Sequence, residues 1–203
     1  MDNLGNPVEH QTLDILYDQN FITLYRGLNH ELCQAIIDLF DSDKNKSRGK
    51  IGGSQDAFYE DDTKVSWDLQ INNEGNWRDI FQKIHPPIQS CIAAYLARSP
   101  ILRSFDLQAT GYKIQMYPKN EGYFRWHADS VGRTARDRVV AMVLYLNNVQ
   151  KGGETEFFHQ GLKVAPQAGH LLLFPAEWNY MHCGHTPESN DKYIISTFIQ
   201  IKN

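Results

Sequence analysis

The chain has 203 residues, of which 41% are apolar and 12% aromatic, enough to build a full core and to exclude wholesale disorder. Twenty Lys and Arg stand against 24 Asp and Glu, a net charge of -4, which excludes a strongly basic nucleic-acid binder as the default reading. No apolar run approaches the ~18 residues of a membrane span, the first ten residues lack an apolar leader, and three widely spaced cysteines argue for a reducing compartment over a disulfide framework. The expected setting is intracellular, in the cytoplasm.

Residues 1–20 are polar and read as loosely held. FITLYRG (21–27) reads as a strand. Asn29 is placed to cap a following helix, in which Leu32, Ile36, Leu39 and Phe40 share a face. Residues 41–62 form a long polar stretch with three glycines; a loop of that length in a compact domain is usually functional or disordered, so 41–64 is a candidate substrate lid. VSWDLQI (65–71) predicts a strand. A second helix is predicted from Trp77 to Ala97, with Pro86 and Pro87 breaking or kinking it near its middle.

From residue 105 the texture changes. Short β-forming runs alternate with Gly, Asn and Pro: LQATGYKIQMY, YFRWHAD, RVVAMVLYL, ETEFF, LKV, HLLLF, NYMHC and KYIISTFIQI. Such spacing predicts an antiparallel sandwich or barrel. The fold class read from this pattern is α+β. Residues 1–108 supply helical support with edge strands, and 109–203 a double-stranded β-helix, or jelly roll, the whole forming one domain over 1–203.

Within the β region, His127 and Asp129 stand two apart and would share a strand face. His-x-Asp alone is a weak signal among eight histidines. A distant imidazole would complete a facial triad of the kind that leaves positions open on a non-haem Fe(II). His182 and His185 compete for that place; His182 ends a short strand, while His185 lies in a Gly-His-Thr-Pro turn. Cys183 would point to the opposite strand face from His182, as a small buried apolar residue. His159 and His170 read as surface or loop histidines.

The last strand places Lys192, Ile194, Ser196 and Phe198 on one face, and both of its faces are rich in apolar residues. Lys192 either snorkels from the strand end or, if buried, needs an anion; a cosubstrate carboxylate would serve. In RVVAMVLYL, Val139, Ala141, Val143 and Tyr145 form a smaller face ending in a hydroxyl, opposite the bulkier Val140, Met142, Leu144 and Leu146. The smaller face leaves room for a bound small molecule.

These motifs in order resemble a known family. Tyr117, Tyr123, His127 and Asp129, then VLYLN at 143–147, GGETEF at 152–157, V-x-P-x-x-G-x-L-L-x-F-P at 164–175, His182-Cys183-Gly184, and a lysine ten residues after His182, are similar to the prolyl 4-hydroxylase branch of the 2-oxoglutarate/Fe(II) dioxygenases, especially its short microbial and phage forms. The resemblance covers about residues 110–200. It implies that His127, Asp129 and His182 bind Fe(II) as the catalytic centre. It also implies that Lys192 and Tyr145 hold the distal carboxylate of 2-oxoglutarate, that Tyr117 lies against the cosubstrate, and that Ser196 takes the place of a small hydroxyl residue. The ten-residue interval favours His182 over His185. One departure is the segment Thr186–Asp191, rich in Pro, Glu, Ser and Asn where the family often has a Gly-bearing turn.

The implied activity is hydroxylation of prolyl residues in a peptide or protein, consuming 2-oxoglutarate and O2 and releasing succinate and CO2, with ascorbate a candidate accessory reductant. Arg125, Trp126, Arg133 and Arg136, the last two in the 130–137 loop, are candidate substrate contacts. The alternatives are the same chemistry on a free amino acid, a small metabolite or another side chain, and a non-catalytic jelly-roll binding module. Demethylases of the superfamily that act on nucleic acid resemble one another through an Arg-x5-Arg pattern in the last strands; only Lys192 stands in that region here. No nucleic-acid or membrane partner is expected, and the sequence does not specify an oligomeric state.

Overall fold

The computed structural model describes residues 13–49 and 63–202. In chain order the strands are β1 (Ile15–Gln19), β2 (Ile22–Arg26), β3 (Ser47–Arg48), β4 (Lys64–Val65), β5 (Trp67–Ile71), β6 (Leu107–Ala109), β7 (Tyr112–Tyr117), β8 (Tyr123–His127), β9 (Arg138–Tyr145), β10 (Thr155–Phe157), β11 (Leu162–Val164), β12 (His170–Pro175), β13 (His182–Gly184) and β14 (Lys192–Ile201). Two helices, α1 (His30–Ser42) and α2 (Arg78–Ala97), precede most of them. The strands form two antiparallel sheets: a major one in the order β1-β2-β12-β9-β14-β7-β5-β3, with β6 on β14, and a minor one in the order β11-β10-β13-β8-β4.

Two apolar clusters flank the major sheet. Alternation along β9 sends Val140, Met142 and Leu144 to one side, where they meet Ile36 and Phe40 of α1 and Ile84, Ile88 and Ile92 of α2. It sends Ala141, Val143 and Tyr145 to the other, facing Phe157 of the minor sheet. β14 divides the same way: Ile195 and Ile199 pack on the helical side, Ile194 and Phe198 between the sheets. Both faces of the last strand are covered, as its composition predicts.

The Asn29 cap holds as expected: its side-chain oxygen accepts from the Leu32 N–H at 2.8 Å. On α1 the fully buried positions are Cys33, Ile36, Ile37 and Phe40, with Leu32 and Leu39 half-buried at the edge of the stripe.

Three expectations need correction. Residues 15–19 are not loose; they pair with β2 through a tight turn in which Asn20 and Phe21 take positive φ. The prolines do not break α2, which runs through Pro86 and Pro87 as one element. The carbonyls that lose their donors belong to Gln82 and Lys83, both exposed to water. The opposite face buries Ile80, Ile84, Ile88, Cys91, Ile92 and Tyr95, and that stripe outweighs two missing hydrogen bonds. The proposed lid at 41–64 is partly structured: Asp41 and Ser42 finish α1, β3 pairs with β5, and β4 pairs with β8. Residues 50–62 lie outside the described residues.

Candidate active site

His127 ends β8 and His182 opens β13, and the two strands pair so that these residues are direct register partners. The sequence placed Asp129 on the strand with His127; it lies instead in the turn just after β8, and the turn brings its carboxylate back between the two imidazoles. Asp129 Oδ1 is 3.5 Å from His127 Nε2, and Oδ2 is 3.6 Å from His182 Nε2. All three side chains are buried.

The donor chemistry suits a metal. His127 Nδ1–H donates to the Arg125 carbonyl at 2.8 Å, and His182 Nδ1–H to the Tyr180 carbonyl at 2.9 Å. Both rings are thereby fixed in the tautomer that leaves the Nε2 lone pair facing Asp129. Burial, reinforced by His127, pushes His182 down to about 4, so its ring is neutral at physiological pH. Burial opposes ionisation of Asp129, but His182, His127 and Arg138 outweigh it and hold the carboxyl below its ordinary range. Two imidazoles and one carboxylate, with no thiolate among them, fit a facial Fe(II) site better than a closed structural zinc site. Phe124 lies flat on the His127 ring at a centroid distance of 3.5 Å, and Phe174 meets His182 edge-on at 4.8 Å, so both rings are held by packing.

Lys192 lies inside. It is 3% exposed, its Nζ donates to the Gly153 carbonyl at 2.6 Å, and it sits 5.5 Å and 5.6 Å from the ring centres of Tyr117 and Tyr145. Among the described residues no carboxylate reaches ion-pair distance. Burial lowers its pKa to about 8, with Glu154 partly offsetting. The carbonyl it uses belongs to a turn that requires glycine: Gly152 and Gly153 have φ of +71° and +75°, and a Cβ on Gly152 would fall 2.3 Å from the Thr186 oxygen. The Tyr145 hydroxyl, fully buried, donates to Thr155 Oγ1 at 2.7 Å. Ser196 is half-buried further along the Lys192 face.

Of the candidate substrate residues, Arg125, Arg133 and Arg136 are exposed and Trp126 is 40% exposed, making an edge-on contact with the exposed Phe158. Arg125 meets the His127–Asp129–His182 cluster through its backbone carbonyl, on His127 Nδ1. His185 is separate: it bonds Glu156 at 2.5 Å. His159 is on the surface against Trp178.

Sequence reading missed two cations. Arg138 donates to the Asp129 carbonyl at 3.1 Å and stacks on Phe198 at 3.8 Å, bracing the turn that aims Asp129. Lys64, on the edge strand beside β8, is buried and pairs with Asp68 at 2.9 Å. Asp68 also accepts from Ser66 at 2.6 Å and Gln115 at 3.2 Å, and Lys64 faces the Phe124 ring at 5.4 Å. Removing one partner of a buried pair strands the other charge and costs about 3–5 kcal/mol. Lys64→Ala should therefore lower the melting temperature by roughly 6–20 °C, taking about 2–4 °C per kcal/mol for a chain of this size. A melting temperature unchanged by calorimetry would show that Asp68 is satisfied without it. The double change Lys64→Met with Asp68→Leu should cost less than either single change.

Residues 112–200, which include His127, Asp129, His182 and Lys192, match the family model of the 2OG-Fe(II) oxygenase superfamily, a match that supports a 2-oxoglutarate-dependent dioxygenase. The matched family implies Fe(II), 2-oxoglutarate and O2 as the cofactor set, and in this chain the buried His127, Asp129 and His182 could hold the iron. The chain's fold is shared with prolyl hydroxylases. The viral collagen prolyl hydroxylase of Paramecium bursaria Chlorella virus-1, solved as its 2OG complex, superposes with a TM-score of 0.63 at 16% identity over 92% of this chain and 99% of that one. A Trichoplax adhaerens prolyl hydroxylase in complex with a hypoxia inducible factor peptide fragment superposes with a TM-score of 0.71 at 18% identity, over 90% and 84%. For a Pseudomonas putida prolyl-4-hydroxylase the values are 0.65 and 18%, over 90% and 93%. No curated protein sequence matches the chain. Among the described residues no helix is long and apolar enough to cross a membrane.

Proposed function

We propose that the protein hydroxylates prolyl residues in a peptide or protein, with His127, Asp129 and His182 as the protein ligands of Fe(II). The two antiparallel sheets would be the walls of a double-stranded β-helix, with the site between them. The observation that carries the reading is the pairing, in one interior, of a two-histidine, one-carboxylate set with a buried lysine that has no counter-ion among the described residues. The first suits iron, and the second suits the distal carboxylate of 2-oxoglutarate. The shared fold of the prolyl hydroxylases supports the prolyl assignment.

In this reading Lys192 supplies charge to the distal carboxylate. Tyr145 turns its hydroxyl from Thr155 to the same group, or donates through Thr155. Tyr117, buried between the Lys64 and Lys192 ammonium groups, forms a wall of the cosubstrate pocket, and Ser196 lines its deeper end. Phe124, Phe157 and Phe174 exclude water around the histidines. Bound Fe(II) supplies the chemistry that couples decarboxylation of 2-oxoglutarate by O2, giving succinate and CO2, to insertion of one oxygen atom into a substrate C–H bond. Arg125, Trp126, Arg133 and Arg136, exposed at the end of β8 and in the loop after it, would meet the peptide in this reading.

The test is mass spectrometry on proline-containing peptides incubated with protein, Fe(II), 2-oxoglutarate and ascorbate. A gain of one oxygen on proline, matched by succinate, is the expected result. Succinate formation without a modified peptide would move the reading to a small-molecule substrate, and no succinate under any condition would favour the binding-module alternative.

A further inference from the structure

β13 carries two chemistries on its two faces. Alternation turns His182 inward, against Phe157 and Phe174, and turns Cys183 outward. Across the β10–β13 ladder, Cys183 is the register partner of Glu156, whose side chain must face outward because its neighbours Thr155 and Phe157 face the core. His185 follows two residues after Cys183, held by its N–H to the Glu154 carbonyl at 2.9 Å. The three outward groups converge. His185 Nε2 lies 3.7 Å from Cys183 Sγ and 2.5 Å from Glu156 Oε2, and all three ligand atoms lie within 4.8 Å of one another.

We propose that Glu156, Cys183 and His185 form a second metal site, for a zinc-type divalent cation, on the face of β13 opposite His182. The donor set differs from the inner one in the way that selects metals: a thiol, an imidazole and a carboxylate suit tetrahedral Zn(II), where two imidazoles and a carboxylate suit Fe(II). The spacing also fits. Tetrahedral bonds of about 2.3 Å to sulfur and about 2.0–2.2 Å to nitrogen and oxygen place S and N about 3.6 Å apart, and N and O about 3.4 Å. The Cys183–His185 distance already matches. Glu156 must withdraw by somewhat under an ångström, which its partly exposed side chain allows. Coordination at Nε2 displaces the proton of the His185–Glu156 hydrogen bond to Nδ1 or to solvent, and releases the thiol proton to solvent. The nearby cation, Lys163, 3.1 Å from Glu156 and 57% exposed, can turn outward. His185 is 38% exposed, so water would supply the fourth ligand. A bound ion would clip β10 to β13, the strand that aims His182, and so stabilise the inner site from outside.

The test uses the full chain, reduced and anaerobic, titrated with Co(II) as a spectroscopic probe. The expected result is two equivalents bound, one of which gives a thiolate-to-cobalt charge-transfer band. Cys183→Ser should remove that band and one equivalent while Fe(II)-dependent succinate formation persists. His127→Ala should remove the other equivalent and keep the band. Glu156→Gln should weaken the outer equivalent at least about tenfold, since even changes beyond the ligand shell commonly cost that much. Zn(II) should raise the melting temperature of the parent more than that of Glu156→Gln. One equivalent with no charge-transfer band would overturn the proposal, as would a band that survives Cys183→Ser, because Cys33 or Cys91 would then be its source. Should Cys183→Ser fail to fold, Glu156→Gln and His185→Ala carry the same comparison, and binding undiminished in both would overturn it equally.

Discussion

Replacing His127, Asp129 or His182 by alanine should abolish iron-dependent succinate formation and lower Fe(II) affinity by at least about 100-fold, since residues that merely support metal ligands already cost about 10–100-fold. Each change removes one of three converging donors. The reasons differ by position. His127 and His182 are direct partners across the β8–β13 ladder, so loss of either ring leaves Asp129 facing one imidazole. Asp129→Ala removes the carboxylate that lies 3.5 and 3.6 Å from the two rings, leaving two neutral histidines against a divalent ion. His185→Ala should keep Fe(II) binding and turnover, because His185 belongs to the outer face. Equilibrium Fe(II) titration with a succinate assay decides it; turnover kept by His182→Ala and lost by His185→Ala would sink the assignment.

What the sequence disclosed here follows from period two. Once residues 105–201 read as short strands, alternation turned His127 inward, set Cys183 opposite His182, and put the two faces of β9 on their proper sides, while Lys192 stayed open between burial and a snorkelling strand end. It mispredicted Asp129, whose position depends on a turn rather than on strand geometry, although the residue still reaches the site. It missed β1, because a five-residue edge strand with one half-buried side chain leaves almost no apolar signal and exists by pairing with β2. It read Pro86 and Pro87 as breaking or kinking the helix because proline cost is local, while the buried isoleucine stripe that carries α2 through them unbroken is tertiary. Lys64 was invisible for a similar reason. Its partner Asp68 is four residues on, but the group that completes the network, Gln115, comes from β7, and its place beside Phe124 exists only because β4 pairs with β8. Arg138 reaches Asp129 across nine residues through a loop whose path no periodicity encodes. Strand alternation was legible; turns, edges and partners brought together by sheet order were not.

Lys192→Ala should weaken 2-oxoglutarate binding by roughly a hundredfold to a few thousandfold, the equivalent of about 3–5 kcal/mol for stranding one partner of a buried charge pair, while Fe(II) affinity stays within a few fold. Tyr145→Phe removes a hydrogen bond to the same carboxylate and should cost less, about 1.5–3 kcal/mol. Lys192→Arg should retain part of the affinity, its planar head fitting poorly where one ammonium meets the Gly153 carbonyl. The pH dependence separates charge from shape. In the free protein burial holds Lys192 at about 8, so below that pH the ammonium is ready for the dianion. Above it a proton must be taken up on binding, and the dissociation constant should rise by up to about tenfold per pH unit. The same shift acts on folding with the opposite sense. The folded-state pKa lies below the ordinary 10.5, so the ligand-free protein gains stability as pH rises from about 8 towards about 10, just where the cosubstrate lets go. Lys192→Met should flatten both profiles. Its ligand-free melting temperature should stay within a few degrees of the parent, because relief of the buried ammonium offsets the Gly153 carbonyl left without a donor. Calorimetric titration of 2-oxoglutarate between pH 7 and 9.5 reads the first effect and thermal melts across the same range the second; an affinity in Lys192→Ala equal to that of the parent would place the carboxylate elsewhere.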